Sequence, residues 1–318
     1  MAAPFCLNAI KFCGLTGAES QPPPSKTSGT TMALKKQAAA AAKVAAHQEF
    51  TDPALKMAVR IPSPPPLLDQ LMRLLEIPNA SMEDISQVIQ TDAGLTASLY
   101  RMLAKPIYGL RRPPETVTQA ISLVGLTTVA ELVKGLSLEK AIYGDSKFYP
   151  WFWDRANDIA AYAATIAWKQ RTACNLFPEH AKLAGLFMDC GVPILIQHID
   201  KYEYAFITAN GHVWPNVLSE DKRFDTDHAV VGYMAARHWK LPDYVCQAVR
   251  WHHDAINVND KSATLVAILQ TAQHIYNLQS MKDDSDWEAQ EATALNEIGI
   301  SKEGLHEFED DIAERCRT

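Results

Sequence analysis

The 318-residue chain contains no CxxC pair, no GxSxG and no glycine-rich phosphate loop. Those absences argue against a zinc-ribbon or thioredoxin-type site, an α/β-hydrolase nucleophile and a P-loop nucleotide site. No run of about 18 apolar residues occurs, so no membrane span is expected. The N-terminus, "MAAPFCLNAIKFCG", lacks the basic start and clean apolar run of a secretion signal. Six cysteines are scattered at positions 6, 13, 174, 190, 246 and 316. A chain this long needs no staples, and reduced thiols in a cytoplasm are the expectation. A basic stripe is also missing. The formal net charge is −7, with seven Lys/Arg against three Asp/Glu in residues 1–60 and three against twelve in residues 283–318. Such a distribution argues against DNA as a partner, and the acidic C-terminal end reads as a solvated helical face.

What is present is helical periodicity. "ESQPPPSKTSGTT" reads as a linker, and "MALKKQAAAAAKVAAHQEF" has helix propensity but little apolar bulk. Residues 1–56 are therefore set apart as a leader. From "RIPSPPPLLDQLMRLLE" onward the pattern is that of packed helices. Leu68, Leu71, Met72 and Leu75 share one face, and Ser81 with Asp84 begins a second helix as in a capping box. "GLTASLYRMLA" makes a third. Val117 to Val124 make a fourth, ended by Gly125, and Val129 to Leu136 lie in a fifth. Longer helices are expected near 151–172, 178–199, 226–239, 242–254 and 262–279. Residues 200–225 suggest a short helix followed by a surface loop. No convincing strand alternation appears, so the fold class is all-α. The aromatic run "FYPWFW", 148–153, is expected at the joint between two helical subdomains, 57–150 and 151–280. "RRPPE", 111–115, reads as a basic surface loop.

The ordered set of segments is similar to one known family. "IPSPPPLLDQLMRLLEIPNASMEDISQVIQTDAGLTASLYRMLAKPIYGL", "ETVTQAISLVGLTTVAELV", "AKLAGLFMDCGVPIL" and "DHAVVGYMAARHWKLPDYVCQAVRWHHD" follow one another as in HDOD domains. These are output domains related to the HD and HD-GYP phosphohydrolases. The resemblance spans about residues 57–280 and implies a bacterial signalling protein. It leaves an acidic C-terminal segment, 281–318, outside.

The resemblance also supplies chemistry to test. HD enzymes hold one or two divalent ions with His and Asp side chains, and the ion activates water against a phosphate ester. Carried over residue by residue, the first His position is Arg155 and the His of the doublet is Met188. The doublet's Asp is Asp189, the next His is His228, and an adjacent pair matches His252 and His253. The final Asp position is Gln273. Arginine has no lone pair to give a metal, methionine is too soft for hard ions, and glutamine lacks the anionic charge. A two-ion centre is therefore not expected, and no catalytic residue is assigned.

Asp189 on an apolar segment must find a partner. Arg155 or a protonated histidine can serve. A single divalent ion held by Asp189, His228, His252 and His253 is the alternative, although no cofactor is the expectation. His252 reads as a core histidine, His253 as nearer the surface because it lies about 100° further round the helix, and Cys190 as a small core residue. The expected function is a non-catalytic signal-transduction module acting through a signalling protein partner or small ligand. A cyclic dinucleotide is one candidate ligand. A weak metal-dependent phosphohydrolase or phosphodiesterase acting on a nucleotide or cyclic dinucleotide is the alternative function.

Overall fold

Proline and serine fix where the ordered helices begin. In a computed structural model of the chain, the described residues are 59–104, 108–144, 146–200, 202, 207–208, 211–212, 214–254, 261–282, 284 and 286–317. The linker, the Ala-rich helix and the two N-terminal cysteines expected in the leader lie outside them. Helix α1 (Pro66–Leu75) starts on a proline, whose missing N–H costs nothing in a first turn. In α2 (Met82–Gln90) the Ser81 hydroxyl accepts from the Asp84 amide at 3.0 Å. Asp92 caps α3 (Ala93–Leu103) in the same way. Helices α4 (Val117–Val124) and α5 (Leu126–Ala141) meet at Gly125, whose φ of 89° is open to glycine. Arg111 and Arg112 are exposed.

The remaining helices are α6 (Phe148–Lys169), α7 (Arg171–Cys174), α8 (Pro178–Phe187), α9 (Gly191–His198) and α10 (Val217–Phe224). After them come α11 (His228–His238), α12 (Asp243–Trp251), α13 (Lys261–Gln279), α14 (Trp287–Ile298) and α15 (Leu305–Arg317). The fold is all-α. Its one sheet among the described residues is a two-residue hairpin, β1 (Ile207–Thr208) with β2 (Gly211–His212). Residues 200–225 hold a short helix as expected, α10, but it follows the hairpin rather than preceding a surface loop.

Helix α6 is the spine. It packs against α8, α13 and α15, and burial of Ile159, Ala160, Ala163, Ile166 and Ala167 reflects neighbours on several sides. Gly185 of α8 sits so close that an added Cβ would lie 2.7 Å from the Ala160 Cα. The aromatic run at its start is core. Phe148, Tyr149, Phe152 and Trp153 are all buried, and the Trp153 indole donates to the Ile142 carbonyl at 3.4 Å.

Two expected helices are shorter than their patterns suggested, and both differences shape the site. The segment 178–199 is broken at Met188–Cys190. Pro193 explains the break. Inside one long helix it would remove a backbone bond and crowd the preceding turn, whereas as the third residue of α9 it needs no acceptor. The other difference is α12, which ends at Trp251 rather than near 254. The acidic C-terminal segment carries a buried face: Trp287, Leu295, Ile298, Phe308 and Ile312 all join the core. Each such side chain contributes about 1.5–3 kcal/mol relative to exposure.

Candidate functional site

The break before α9 places Asp189 in a tight turn, with Val192 N–H donating to its carbonyl at 2.9 Å. Gly191 is required here, because a Cβ at this position would overlap the His228 carbonyl. That close approach sets the Asp189 turn against the start of α11, whose N-cap is Asp227. His228 is therefore the first helical residue, and another residue does the capping. On the other side, α6 presents Arg155, and the turn after α12 presents His252 and His253.

These side chains converge. Asp189 Oδ2 accepts from Arg155 Nη1 at 2.5 Å, with both side chains at most 4% exposed. Asp189 Oδ1 lies 3.4 Å from His228 Nε2 and 3.3 Å from His252 Nε2, and the Trp214 indole N–H donates to it at 3.3 Å. The same indole ring covers the guanidinium, 3.6 Å from centroid to Arg155 Cζ. Met188 is buried in the apolar core, and Gln273 is half-buried on α13. Neither adds a donor to the cluster.

His253 is, as expected, nearer the surface than His252, half-buried where His252 is buried, but its ring turns inward. His252 keeps near-helical backbone angles, φ −64° and ψ −19°, and the two rings lie 4.1 Å apart by centroid. His253 Nε2 sits 2.9 Å from His228 Nε2. Behind the rings lie partners that the sequence reading missed. His228 Nδ1 is 2.5 Å from Glu220 Oε2, and Tyr202 donates its hydroxyl to the other Glu220 oxygen. His252 Nδ1 is 2.7 Å from the Val249 carbonyl, and His253 Nδ1 is 3.5 Å from Asp286. Gln290 Nε2 donates to the His253 carbonyl at 3.0 Å and Gln270 Nε2 to that of His252 at 3.1 Å. Glu220 carried one local signal, an acid eight residues before His228. Asp286 carried none, since only tertiary packing brings it near.

Partner chemistry fixes the protons. Burial alone would raise the Asp189 carboxyl, but the Arg155 charge and the His228 and His252 rings hold it well below the usual carboxylate range. Burial opposes charge on His228, yet Glu220 and Asp189 override it and push the ring up to about 10. Burial and the imidazoles of His252 and His228 draw His253 down to about 4. A doubly protonated His228 therefore donates to Glu220 on one side and to neutral His253 on the other. His252 is the exception. A carbonyl only accepts, so Nδ1 carries a hydrogen, and Nε2 is buried and left without a hydrogen-bond partner. Its 3.3 Å approach to Asp189 Oδ1 is attractive when Nε2 carries a hydrogen as well.

One carboxylate oxygen and one nitrogen from each of the three imidazoles thus all lie within 4.8 Å of one another. Zinc bonds of about 2.0–2.1 Å would set tetrahedral donors about 3.3 Å apart, so the donor set fits one such ion. A second ion does not fit, because Arg155 holds the other Asp189 oxygen and like charge is repelled. A cavity of about 320 Å³ reaches His253 and is lined by Asp221, Asp225, Asp227 and Asp254 against the single cation Arg250.

Comparison with known proteins bears on this geometry. A family model described as HDOD domain matches residues 61–255. Asp286 and Gln290, which support His253, fall beyond that match. An uncharacterized protein of Treponema pallidum (strain Nichols) is 22% identical over 214 residues, 67% of this chain and 41% of that one. The chain thus spans less than half the length of this curated relative. A solved HDOD domain protein of unknown function from Geobacter sulfurreducens superposes with a TM-score of 0.61 at 20% identity, covering 81% of this chain and 92% of that one. A candidate phosphohydrolase from Shewanella amazonensis SB2B gives 0.58 at 19% identity, with 84% and 98% covered. A candidate signal transduction protein from Marinobacter aquaeolei VT8 gives 0.59 at 20%, with 92% and 65% covered. At these identities the likenesses establish the fold.

Proposed function

Since the chain belongs to the HDOD domain family, we propose that it is a non-catalytic signal-transduction module that works by binding a protein partner or small ligand. The observation that carries this reading is the closure of the Asp189 centre. Arg155 occupies one carboxylate oxygen at 2.5 Å, and three imidazole nitrogens crowd around the other. Catalytic metal sites keep a position open for water, whereas structural sites are closed by protein ligands. The acidic cavity beside His253 is also a poor path for a phosphate ester, since its lining repels anions.

A single-ion phosphohydrolase is the second reading, favoured by the convergence of the three Nε2 atoms. Asp189, His228, His252 and His253 would hold the ion, which would supply a positive charge where His228 otherwise keeps a proton. The same four residues would fill a tetrahedral shell, so the ion fits a structural role better than a hydrolytic one. No single helix among the described residues is long and apolar enough to cross a membrane. The proposal places the module in a bacterial cytoplasm, in keeping with buried, reduced thiols at Cys174, Cys190 and Cys246.

The test is turnover. The full chain, purified and then loaded separately with zinc, manganese and iron, is assayed against bis-p-nitrophenyl phosphate and against cyclic dinucleotides, with bound metal counted by elemental analysis. The expected result is no metal-dependent hydrolysis, whether or not one ion is retained. Hydrolysis that depends on manganese or iron and is lost in Asp189→Asn would replace the regulatory reading with the enzymatic one.

A further inference from the structure

Another cavity, of about 540 Å³, opens between the ends of α4 and α6, the starts of α5 and α8, and the last turn of α15. Its size is that of a small-molecule site. Leu123, Val124, Ala164 and Trp168 make its apolar lining, and Trp168 is 49% exposed. Three charged side chains line it as well. Lys182 is 6% exposed, and its ammonium donates to the hydroxyl of Tyr108, also on the wall, at 2.7 Å. Glu179, one helical turn earlier, accepts from the Thr128 hydroxyl at 3.0 Å. Arg315 Nε donates to both Asp311 oxygens, at 3.0 and 2.9 Å, which sets its Cζ 5.7 Å from the Trp168 ring centroid.

The balance of that lining is positive, two cations against one acid among the described residues, in a chain of net charge −7. Asp311 is shared between Arg315 and Lys169, so it does not reverse the balance. The Lys182–Tyr108 pair gives the cavity its specificity. Burying an ammonium costs free energy, and a neutral hydroxyl offsets that cost less than an anion does. Burial and the nearby Glu179 raise the Tyr108 phenol above its ordinary value, so it stays a hydroxyl. Having accepted from Lys182, the phenol still has one hydrogen of its own to give. An ammonium and a phenol side by side are thus two donors suited to one carboxylate.

We propose that this cavity binds a small organic carboxylate with an apolar body. The carboxylate would accept from Lys182 and Tyr108, Arg315 would add positive charge, and the body would lie on Leu123, Val124 and Trp168. A cation is the wrong occupant for a positive wall. Arg315 lies beyond the residues matched by the HDOD model, so the site draws on the C-terminal segment of this chain. It shares no residue with the Asp189 centre, and the inference stands whichever way that centre is read.

Calorimetry on the full chain tests it, with 3-phenylpropionate as the probe and 3-phenylpropylamine, 3-phenylpropanol and acetate as controls. The expected result is saturable one-to-one binding of the probe, weaker binding of the alcohol, and none of the amine or of acetate. Arg315→Gln and Trp168→Ala change exposed side chains. Each weakens binding about threefold, the scale of one exposed charge pair or one ring contact. Lys182→Met removes the buried charge, keeps most of the side-chain length and weakens binding about tenfold or more. Arg73→Gln, on exposed α1 surface, leaves it unchanged. No saturable heat with the probe, equal binding of the amine, or unchanged affinity in both Arg315→Gln and Trp168→Ala would overturn the proposal, whether or not Lys182→Met folds. None of these outcomes bears on hydrolysis at Asp189.

Discussion

Removing the guanidinium from Arg155 gives the sharpest test of how the centre is held. In Arg155→Met the packing volume is roughly kept, but Asp189 loses its 2.5 Å partner while remaining 2% exposed. Breaking a buried pair from one side leaves an uncompensated charge and costs about 3–5 kcal/mol. For a domain of this size that lowers Tm by roughly 6–20 °C. Asp189→Leu strands Arg155 beside His228 and falls in the same range. Replacing both at once removes both charges. The double variant Arg155→Met/Asp189→Leu should therefore be markedly more stable than the sum of the single losses implies, with a coupling of about 2 kcal/mol or more. The assay is urea unfolding of the full chain by circular dichroism, in chelator so that no ion substitutes for the lost charge. If Arg155→Met stays within about 0.5 kcal/mol of the parent, or if the single losses simply add, the ion pair does not hold the centre and the reasoning fails.

Other predictions follow the same physics. Zinc added to chelated protein raises Tm through its preference for the folded state, by the equivalent of about 2.7 kcal/mol at a hundredfold excess over Kd, and His252→Ala abolishes the rise in differential scanning calorimetry. Gly191→Ala forces a methyl into the His228 carbonyl and costs about 1–3 kcal/mol or more, read as a lowered urea midpoint. His274 is flanked by Asp284 and by Glu309 at 2.9 Å and stacked on Trp287 at 4.2 Å. Burial opposes its charge, but the two carboxylates raise it to about 9 from an unfolded value near 6.5. Its contribution is thus complete below about pH 6.5 and is lost as pH rises through about 9. After allowance for partial exposure it is worth about 1–2 kcal/mol, and His274→Gln should flatten this pH dependence in denaturant titrations. Trp214 covers Arg155, so Trp214→Ala should destabilise by about 1–2 kcal/mol and make the centre accessible to added imidazole by NMR.

Helix content and order were legible because the apolar spacing at Leu68, Leu71, Ile85, Val88, Val245 and Val249 is local information. The centre was legible only through resemblance. Nothing in the spacing of Arg155, Asp189 and His228 says that α6, the turn after α8 and the head of α11 meet. The break at Asp189 was written in Pro193, but the apolar pattern on either side masked it. The inward turn of the His253 ring was not legible, because the His228 it meets comes from another helix that only the fold brings near. Tyr202 and Asp286 were invisible for the same reason, and Glu220 offered only its place eight residues before His228. Each is an ordinary polar residue until the fold brings an imidazole to it. The C-terminal acids look like a solvated face and mostly are. Their apolar partners at Trp287, Phe308 and Ile312 were diluted by charge.

The row of polar atoms from Glu220 through His228 and His253 to Asp286 crosses the molecule from α10 to the head of α14. It is a tie rod with unequal links: 2.5 Å at Glu220, 2.9 Å between the rings and 3.5 Å at Asp286. Tension applied from the C-terminal end is taken up first at the longest and most exposed link. Links in series carry one load, so the weakest parts first, and once it has parted no pull reaches the ring pair. The tight end beside Asp189 is thereby insulated, and the Asp286 contact works as a fuse between it and α14.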